Sequence, residues 1–280
     1  MLRKSWCAKV ACAVILAGLG RPEGFAQGGS SLPPPPPPPP PLAPVSKTTP
    51  AAPPATPAAA ATPAPVQPQA GAWKTLFDGK TLTGFRGLQK PDFLKAGWKI
   101  EDGALVLPKE IKDSGKVTGG DLVTTEAYTD FEFLFEWKLT ISADTGVLYL
   151  ARAAAGQKPV GCEFQIIDDV RNPDGLKGGP PKRTGALYGL LPAGENKRLN
   201  DAQWNEGMLR IKGMRVEHWV NQQKVLEYEL GSSALRTAIT SLKPRPPVSF
   251  GTKFKSPLLL LDQGEEVAFR NLRIRTIPPP

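Results

Sequence analysis

The chain has 280 residues, with 35 basic and 26 acidic side chains and a formal net charge of +9. From residue 71 to the end the counts are 30 and 25 without a long basic run, which excludes the charge pattern of a typical nucleic-acid-binding domain. Three cysteines are present and only Cys162 lies beyond the first 27 residues, which excludes an internal disulfide in the rest of the chain.

The first 27 residues have the pattern of a secretory signal peptide. Basic residues flank the start of the apolar run 10–20, which at eleven residues is too short to span a bilayer. Small residues at Gly24 and Ala26 provide a cleavage site before Gln27. We therefore predict export to the periplasm or the extracellular space, with an uncleaved N-terminal anchor as the alternative.

Residues 28–70 are rich in proline and alanine and include an unbroken proline run, Pro33–Pro41. Proline fixes φ and has no N–H donor, so this composition cannot build a packed helix or sheet. We predict a disordered linker that extends as polyproline II at about 3.1 Å per residue. The linker would act as a spacer, or would associate the protein with the cell envelope.

Residues 71–280 form the one predicted domain, and their pattern is that of short strands separated by turns. In FEFLFEWKL, residues 131–139, aromatic residues recur at every second position and charged residues mostly lie between them, which is the period of a strand with one buried face. Further strands are predicted at 98–107, as a hairpin turning at Asp102-Gly103, and at 208–221, 223–230, 257–262 and 266–277, with one short helix at 233–242. Many strands and little helix predict an all-β fold, a two-sheet β-sandwich.

The stretch GCEFQIIDD, residues 161–169, is unusual because polar residues interrupt an apolar strand. Side chains alternate between the two faces of a strand, so Cys162, Phe164 and Ile166 share an apolar face that suits the space between the sheets. The other face carries Glu163, Gln165, Ile167 and Asp169. From the pattern alone, that face is either an ordinary solvated surface or a binding site.

The one histidine of the chain lies in MRVEHWVN, residues 214–221. His218 shares an apolar face with Val216 and Val220, so it is either a core histidine or a functional one. Trp219 falls on the other face, where its ring is either a stacking surface for a sugar or a half-buried edge residue. A single histidine excludes a multi-histidine metal site, and the sequence lacks GxSxG, GxxxxGK[ST], HExxH and CxxC motifs.

Several stretches, taken together and in order, resemble the 3-keto-disaccharide hydrolase domain family. They are WKTLFDGKTLTGF (73–85), GDLVTTEAYTDFEFLFEWKL (120–139), SADTGVLY (142–149), CEFQIIDD (162–169), TGALYGL (184–190), QWNEGMLRIKGMRVEHWVNQQKVLEYELG (203–231) and DQGEEVAFRNLRIR (262–275). The resemblance covers essentially all of residues 73–276. It implies a concanavalin A-like β-sandwich, or jelly roll, in agreement with the strand pattern.

The resemblance also implies an activity on glycosides that are oxidised at C3 of the sugar, so the expected ligand is a carbohydrate. A ketone at C3 acidifies the C2 proton, so a base can remove it, the C1 substituent can leave by β-elimination, and water can then add to the glucal. By the resemblance, Glu163 and His218 are the catalytic candidates, with Glu163 as base or ligand. The substrate-binding candidates are Gln165, Asp168, Asp169, Tyr188, Trp219, Gln263 and Arg270. No metal site is readable from the sequence, and a requirement for a divalent cation stays open.

The chain departs from the family pattern at several positions. Relatives often carry glutamine or histidine where this sequence has Asn172, Leu261 and Gln263, and their Asn-Ser-Gly triplet reads Asp-Thr-Gly at 144–146. If the missing histidines shuttle protons in relatives, this chain lacks that capacity. The alternative to an enzyme is therefore a degenerate, non-catalytic carbohydrate-binding β-sandwich, and a third interpretation is a structural envelope protein that uses the proline run.

Overall fold

A computed structural model describes residues 70–89, 92, 97–108, 120–153 and 157–279. The predicted signal peptide and all but the last residue of the predicted linker lie outside the described residues. Among the residues that are described, no helix is both long enough and apolar enough to cross a membrane.

The described residues form two antiparallel sheets. Sheet A has eight strands: β1 (Lys74–Phe77), β3 (Lys99–Glu101), β4 (Ala104–Leu107), β6 (Phe131–Leu139), β9 (Asn205–Lys212), β10 (Arg215–Val220), β11 (Gln223–Glu229) and β13 (Val267–Thr276). Sheet B has five strands: β2 (Phe85–Gly87), β5 (Leu122–Thr124), β7 (Asp144–Arg152), β8 (Val160–Ile167) and β12 (Leu259–Leu260). The order is β11-β10-β9-β6-β13-β4-β3 in sheet A, where β1 also pairs with β13, and β2-β5-β12-β7-β8 in sheet B.

The core lies between the sheets and is built on the alternating aromatic residues of β6. Phe131, Phe133, Phe135 and Trp137 are all buried, and burying a side chain of this size contributes about 1.5–3 kcal/mol. The ring of Phe135 packs edge-on against Phe164 of β8, with ring centroids 5.5 Å apart, and so joins the two sheets. The predicted all-β two-sheet sandwich of the jelly-roll type is confirmed.

Strand β8 lies at one edge of sheet B and has the two faces that its alternation predicts. Cys162, Phe164 and Ile166 are fully buried in the core between the sheets. Leu148 of β7 is paired with Glu163 and belongs to a separate apolar cluster on the outer face of sheet B. Because paired residues point to the same side of a sheet, Glu163 and Gln165 project from this outer face.

Among the described residues, two short α-helices and a 3-10 helix at Pro180–Lys182 accompany the strands. Helix α1 (Pro173–Lys177) follows β8, and helix α2 (Ser233–Ser241) follows β11 at the position predicted for the one helix. Asn172 forms the N-cap of α1 and accepts a hydrogen bond from the backbone N–H of Asp174 at 2.8 Å. Helix α1 was not predicted, because five residues are too few to produce an apolar period.

Candidate functional site

The outer face of sheet B carries polar side chains around Glu163, of which only 6% is exposed. The next residue pair on this face of the β7–β8 ladder is Gln165 opposite Gly146. A Cβ atom built on Gly146 would come within 2.5 Å of Glu163 Oε1, so the glycine leaves the space that the carboxyl group occupies. We use the name carboxyl site for Asp121, Asp144, Glu163, Gln165, Asp174 and Tyr188.

Gln165 connects Glu163 to the start of β7. Its side chain is fully buried, and its Nε2 donates a hydrogen bond to Asp144 Oδ1 at 3.1 Å. Its Oε1 is buried and has no hydrogen-bond partner among the described residues. Buried polar atoms are almost always hydrogen-bonded, so this acceptor marks a place where a donor is missing.

Asp174 and Tyr188 close the site from the side of helix α1. The backbone N–H of Tyr188 donates to the Glu163 carbonyl oxygen at 3.0 Å, which holds the tyrosine beside β8. Its hydroxyl donates to Asp174 Oδ2 at 2.6 Å, and Lys182 Nζ lies 2.6 Å from Asp174 Oδ1. The cap residue Asn172 anchors this helix to the loop before β7, because its Nδ2 donates to the Ser142 carbonyl oxygen at 2.7 Å.

Backbone hydrogen bonds from the segment that follows β12 connect Asp121 to the site. The Leu261 N–H donates to the Gly146 carbonyl oxygen at 3.0 Å, and the next N–H, that of Asp262, donates to Asp121 Oδ1 at 2.9 Å. Leu261 itself is buried in the apolar cluster on the outer face of sheet B. The carboxyl site therefore has an apolar border on this side.

The surroundings of Glu163 favour its protonated form. Burial raises the pKa of the Glu163 carboxyl well above its ordinary value of 4.5, and the nearby charges of Asp144, Asp121 and Asp174 raise it further. Burial and the hydrogen bond to Asp174 likewise raise the pKa of the Tyr188 hydroxyl, so it stays a donor. A buried carboxyl group with a raised pKa is a candidate for proton transfer.

His218 lies in the core between the sheets and not in the carboxyl site. Its Nδ1–H donates to the Gly185 carbonyl oxygen at 2.9 Å, and its Nε2 accepts from the Tyr149 hydroxyl at 2.8 Å. The ring stacks on Phe164 with centroids 4.5 Å apart. Burial lowers the pKa of the imidazole to about 4. His218 therefore lies apart from Glu163, since it projects from β10 of sheet A into the core while Glu163 projects from the outer face of sheet B.

Trp219 and Arg270, two of the predicted substrate-binding residues, lie on the other side of the molecule. Trp219 belongs to sheet A and points away from the core, where its Nε1–H donates to Glu217 Oε2 at 2.9 Å. Arg270 is also in sheet A, and it pairs with Glu136 at 2.7 Å and stacks over Trp204. Glu163 and Trp219 therefore lie on different surfaces of the sandwich.

Asp168 and Asp169 follow the end of β8 and take part in local structure. Asp168 accepts from the Ser142 N–H at 2.9 Å and Asp169 from the Thr184 N–H at 2.7 Å, and Asp169 also pairs with Lys197 at 2.8 Å. Both line a cleft of about 290 Å³ that Glu163 does not line. The hydrogen-bond partner of Asp169, Thr184, and its ion-pair partner, Lys197, therefore do not join it to Glu163.

Of the nine predicted site residues, the structure brings together Glu163, Gln165 and Tyr188. Gln263 is half-buried and follows Asp262, the residue that contacts Asp121. Three carboxylates of the site were missed: Asp121, Asp144 and Asp174. Asp144 and Asp174 lie in or beside the stretches that depart from the family pattern, at 144–146 and at Asn172. These departures were the one feature of the sequence that could have pointed to them.

Among the described residues, no group of three or more His, Cys, Asp or Glu side chains is arranged to hold a metal ion.

Fold and site together define an antiparallel two-sheet sandwich with a buried carboxyl group on one outer face. Residues 72–275 match the family described as the 3-keto-alpha-glucoside-1,2-lyase-like domain, and the chain belongs to this family. The chain is 28% identical to a 3-keto-disaccharide hydrolase of Bacteroides thetaiotaomicron, with 74% of this chain and 79% of that protein aligned.

Solved structures agree with this assignment. Two proteins of Parabacteroides distasonis, provisionally named glycosyl hydrolases, match with TM-scores of 0.63 and 0.56 at 28% and 22% identity. Each match covers 74% of this chain, and 94% and 100% of the respective relatives. The resemblance found in the sequence is confirmed, and the protein is a member of a carbohydrate-active family.

Proposed function

We propose that the protein cleaves 3-keto-glycosides at the carboxyl site, with Glu163 as the group that moves the proton. One observation carries the proposal: in a member of this family, a carboxyl group lies buried on a sheet face with its pKa raised well above 4.5 by burial and by three neighbouring carboxylates. Strongly shifted pKa values are characteristic of acid–base sites.

The proposed reaction has two steps. In the first, the Glu163 carboxylate takes the C2 proton, which the C3 ketone has made acidic, and the electron pair of the C2–H bond forms an enolate. The enolate then forms the C1=C2 double bond while the C1–O bond breaks, and the leaving oxygen receives a proton. In the second step water adds its hydroxyl to C1 and its proton to C2, so the sum is hydrolysis.

The raised pKa of Glu163 suits this sequence of events. A base must be ionised to accept the C2 proton and must then hold it, and a raised pKa strengthens the carboxylate as a base. The same protonated carboxyl can supply the proton to the leaving oxygen. Gln165 and Tyr188 are proposed to contact the substrate because they border Glu163 on either side.

A second candidate function is carbohydrate binding without catalysis. It is favoured by the position of His218, since the one histidine of the chain is in the core and the carboxyl site contains none. If the protein were an enzyme, proton transfer at the site would have to depend on carboxyl groups without help from a histidine.

Product analysis separates the two functions. The purified protein is incubated with a 3-keto-α-glucoside and, in parallel, with its unoxidised parent, and the products are separated by chromatography. Release of the aglycone from the oxidised compound alone supports the proposed chemistry. Binding of either compound by calorimetry without release supports the second candidate.

We further propose that residues 1–27 direct export and are removed. The support is the sequence pattern of this segment, and the check is N-terminal sequencing of the protein recovered from cells that express the full chain. A protein that begins at Met1 contradicts removal.

A further inference from the structure

Lys182, Asp174 and Tyr188 form a chain of hydrogen bonds beside Glu163. Lys182 Nζ lies 2.6 Å from Asp174 Oδ1, and the Tyr188 hydroxyl donates to Asp174 Oδ2 at 2.6 Å. The side chains of Lys182 and Asp174 are 18% and 16% exposed, and an ion pair that is this far buried is only weakly screened by salt. Each oxygen of the Asp174 carboxylate therefore has a donor from the protein.

The backbone around this chain of hydrogen bonds holds it in place. A Cβ atom at Gly178 would clash with Lys182 Cδ, so the glycine leaves the path along which the lysine reaches Asp174. The N–H of Tyr188 donates to the Glu163 carbonyl oxygen at 3.0 Å, and the N–H of Gly189 donates to the Pro181 carbonyl oxygen at 2.8 Å. These bonds fix the tyrosine between β8 and the 3-10 helix that carries the lysine.

The proton of the Tyr188 hydroxyl is directed at Asp174. An aspartate that is paired with a lysine is ionised, and an ionised carboxylate can only accept. Burial, the bond to Asp174 and the charges of Asp174 and Glu163 raise the pKa of the Tyr188 hydroxyl, so the hydroxyl keeps its proton. Among the described residues this hydroxyl has no hydrogen bond besides the one to Asp174. Its oxygen can still accept, so a ligand can only approach it with a donor.

The Tyr188 hydroxyl is close enough to the Glu163 carboxyl for the charge of one to act on the other. The tyrosine is half-buried, so part of its side chain stays accessible to a ligand. A sugar that brings its C2 atom to Glu163 therefore brings the substituents of the same ring toward the Tyr188 oxygen.

From these contacts we propose that Tyr188 is a specificity-determining residue that binds a hydroxyl group of the sugar as a hydrogen-bond acceptor, and that Asp174 is the positioning residue that fixes this polarity. This inference rests on the proposed function, because it concerns the substrate contacts of the same site. A ligand group that accepts but cannot donate gains nothing at this position. The C3 ketone of the substrate only accepts, so it is excluded from Tyr188, and a hydroxyl is selected.

The test compares an α-glucoside with analogues that carry hydrogen or fluorine in place of one hydroxyl, at C2, C3, C4 or C6 of the ring. Fluorine can accept a weak hydrogen bond but cannot donate one, so it separates the two roles. Calorimetry gives Kd for each unoxidised compound. At one position we expect both analogues to bind at least about threefold more weakly than the parent, as for a lost hydrogen bond. Losses below about twofold at every position overturn the inference.

Tyr188→Phe shows whether the tyrosine causes this discrimination. The variant keeps the ring and leaves Asp174 paired with Lys182, and thermal unfolding checks that it is folded. The parent should bind the variant as weakly as the two analogues do, because the acceptor of its hydroxyl is gone. If the variant still discriminates as the wild type does, the acceptor is another group and the inference is overturned.

Asp174→Asn tests the positioning role. Lys182 donates on the Oδ1 side, so the asparagine should turn its oxygen to Lys182 and its Nδ2–H to the Tyr188 oxygen. The tyrosine O–H then points at the ligand, and the fluorine analogue should bind within about twofold of the parent. A purely structural role would weaken all compounds alike and keep the wild-type ratio, which overturns the positioning role. The matched control is Asp201→Asn, at an exposed ion pair with Arg171, which should keep the wild-type ratio.

Turnover of the 3-keto forms separates this inference from the proposed function. If the unoxidised compounds bind with the expected ratios and no 3-keto form is cleaved, the proposed chemistry fails and the role of Tyr188 stands. If the 3-keto forms are cleaved with equal kcat/KM by Tyr188→Phe and the wild type, the chemistry stands and the role of Tyr188 is overturned. A protein that neither binds nor cleaves any of these compounds overturns both.

Discussion

Glu163→Gln keeps the shape of the Glu163 side chain and removes its ability to ionise, so it separates chemistry from folding. If Glu163 is the proton-transfer group, the variant should lose about 10²–10⁴-fold in kcat on a 3-keto-glucoside, the usual contribution of a general base. The side chain lies against Gly146 with little room, and glutamine is the one substitution of nearly the same shape.

The same variant should be more stable than the wild type at neutral pH. Because the pKa of Glu163 in the fold lies above its ordinary value of 4.5, the stability that the protonated group contributes is complete below pH 4.5 and is lost as the pH rises toward the folded pKa. One pH unit between the folded and unfolded pKa corresponds to about 1.4 kcal/mol. Glutamine does not ionise, so the variant escapes this loss.

The assay is thermal unfolding of both proteins from pH 4 to pH 8, alongside kcat measurements over the same range. The two proteins should have similar Tm values at pH 4, and at pH 7 the variant should unfold about 2–4 °C higher for each kcal/mol recovered. The wild-type kcat should rise with pH through the folded pKa, since a base works in its ionised form. Undiminished turnover in Glu163→Gln, or a variant less stable than wild type at pH 7, would refute the reasoning.

Three further predictions concern the core and the cap of helix α1. Burial raises the pKa of the Cys162 thiol to about 12, so it should not react with a thiol reagent at pH 8 in the native protein and should react fully in urea; rapid native labelling would contradict the assigned face of β8. His218→Gln should lower the free energy of unfolding by about 2–4 kcal/mol at pH 7, as buried partners are left unpaired. Burial holds the pKa of the folded imidazole at about 4, so the wild type should lose stability as the pH falls from about 6.5 to about 4, and the variant should not. Urea unfolding at a series of pH values checks this, and an equal loss of unfolding free energy in both proteins would contradict it. Asn172→Ala should cost about 1 kcal/mol by removing the cap of α1, and Asn172→His should likewise destabilise rather than activate, which denaturation and activity assays check together.

The fold could be predicted because its signals are local. The alternation in β6 sets which residues are buried whichever strand lies beside it, and the aromatic residues at every second position are enough to require a facing layer. The two faces of β8 follow from the same period, so the burial of Cys162 and the outward direction of Glu163 were both readable.

The site required the tertiary structure, because a period of two tells which residues share a face of one strand but not which sheet contains that strand. β8 lies in sheet B and β10 in sheet A, so their outward faces are on opposite sides of the molecule, and Glu163 cannot share a surface with Trp219. His218 lies on the opposite face of β10 from Trp219 and so points into the core between the sheets. Asp121, Asp144 and Asp174 come from three separate segments and act together on Glu163 only because β5, β7 and helix α1 converge at β8. The pKa of Glu163 depends on that convergence and on burial, and neither is a property of residues 161–169 by themselves.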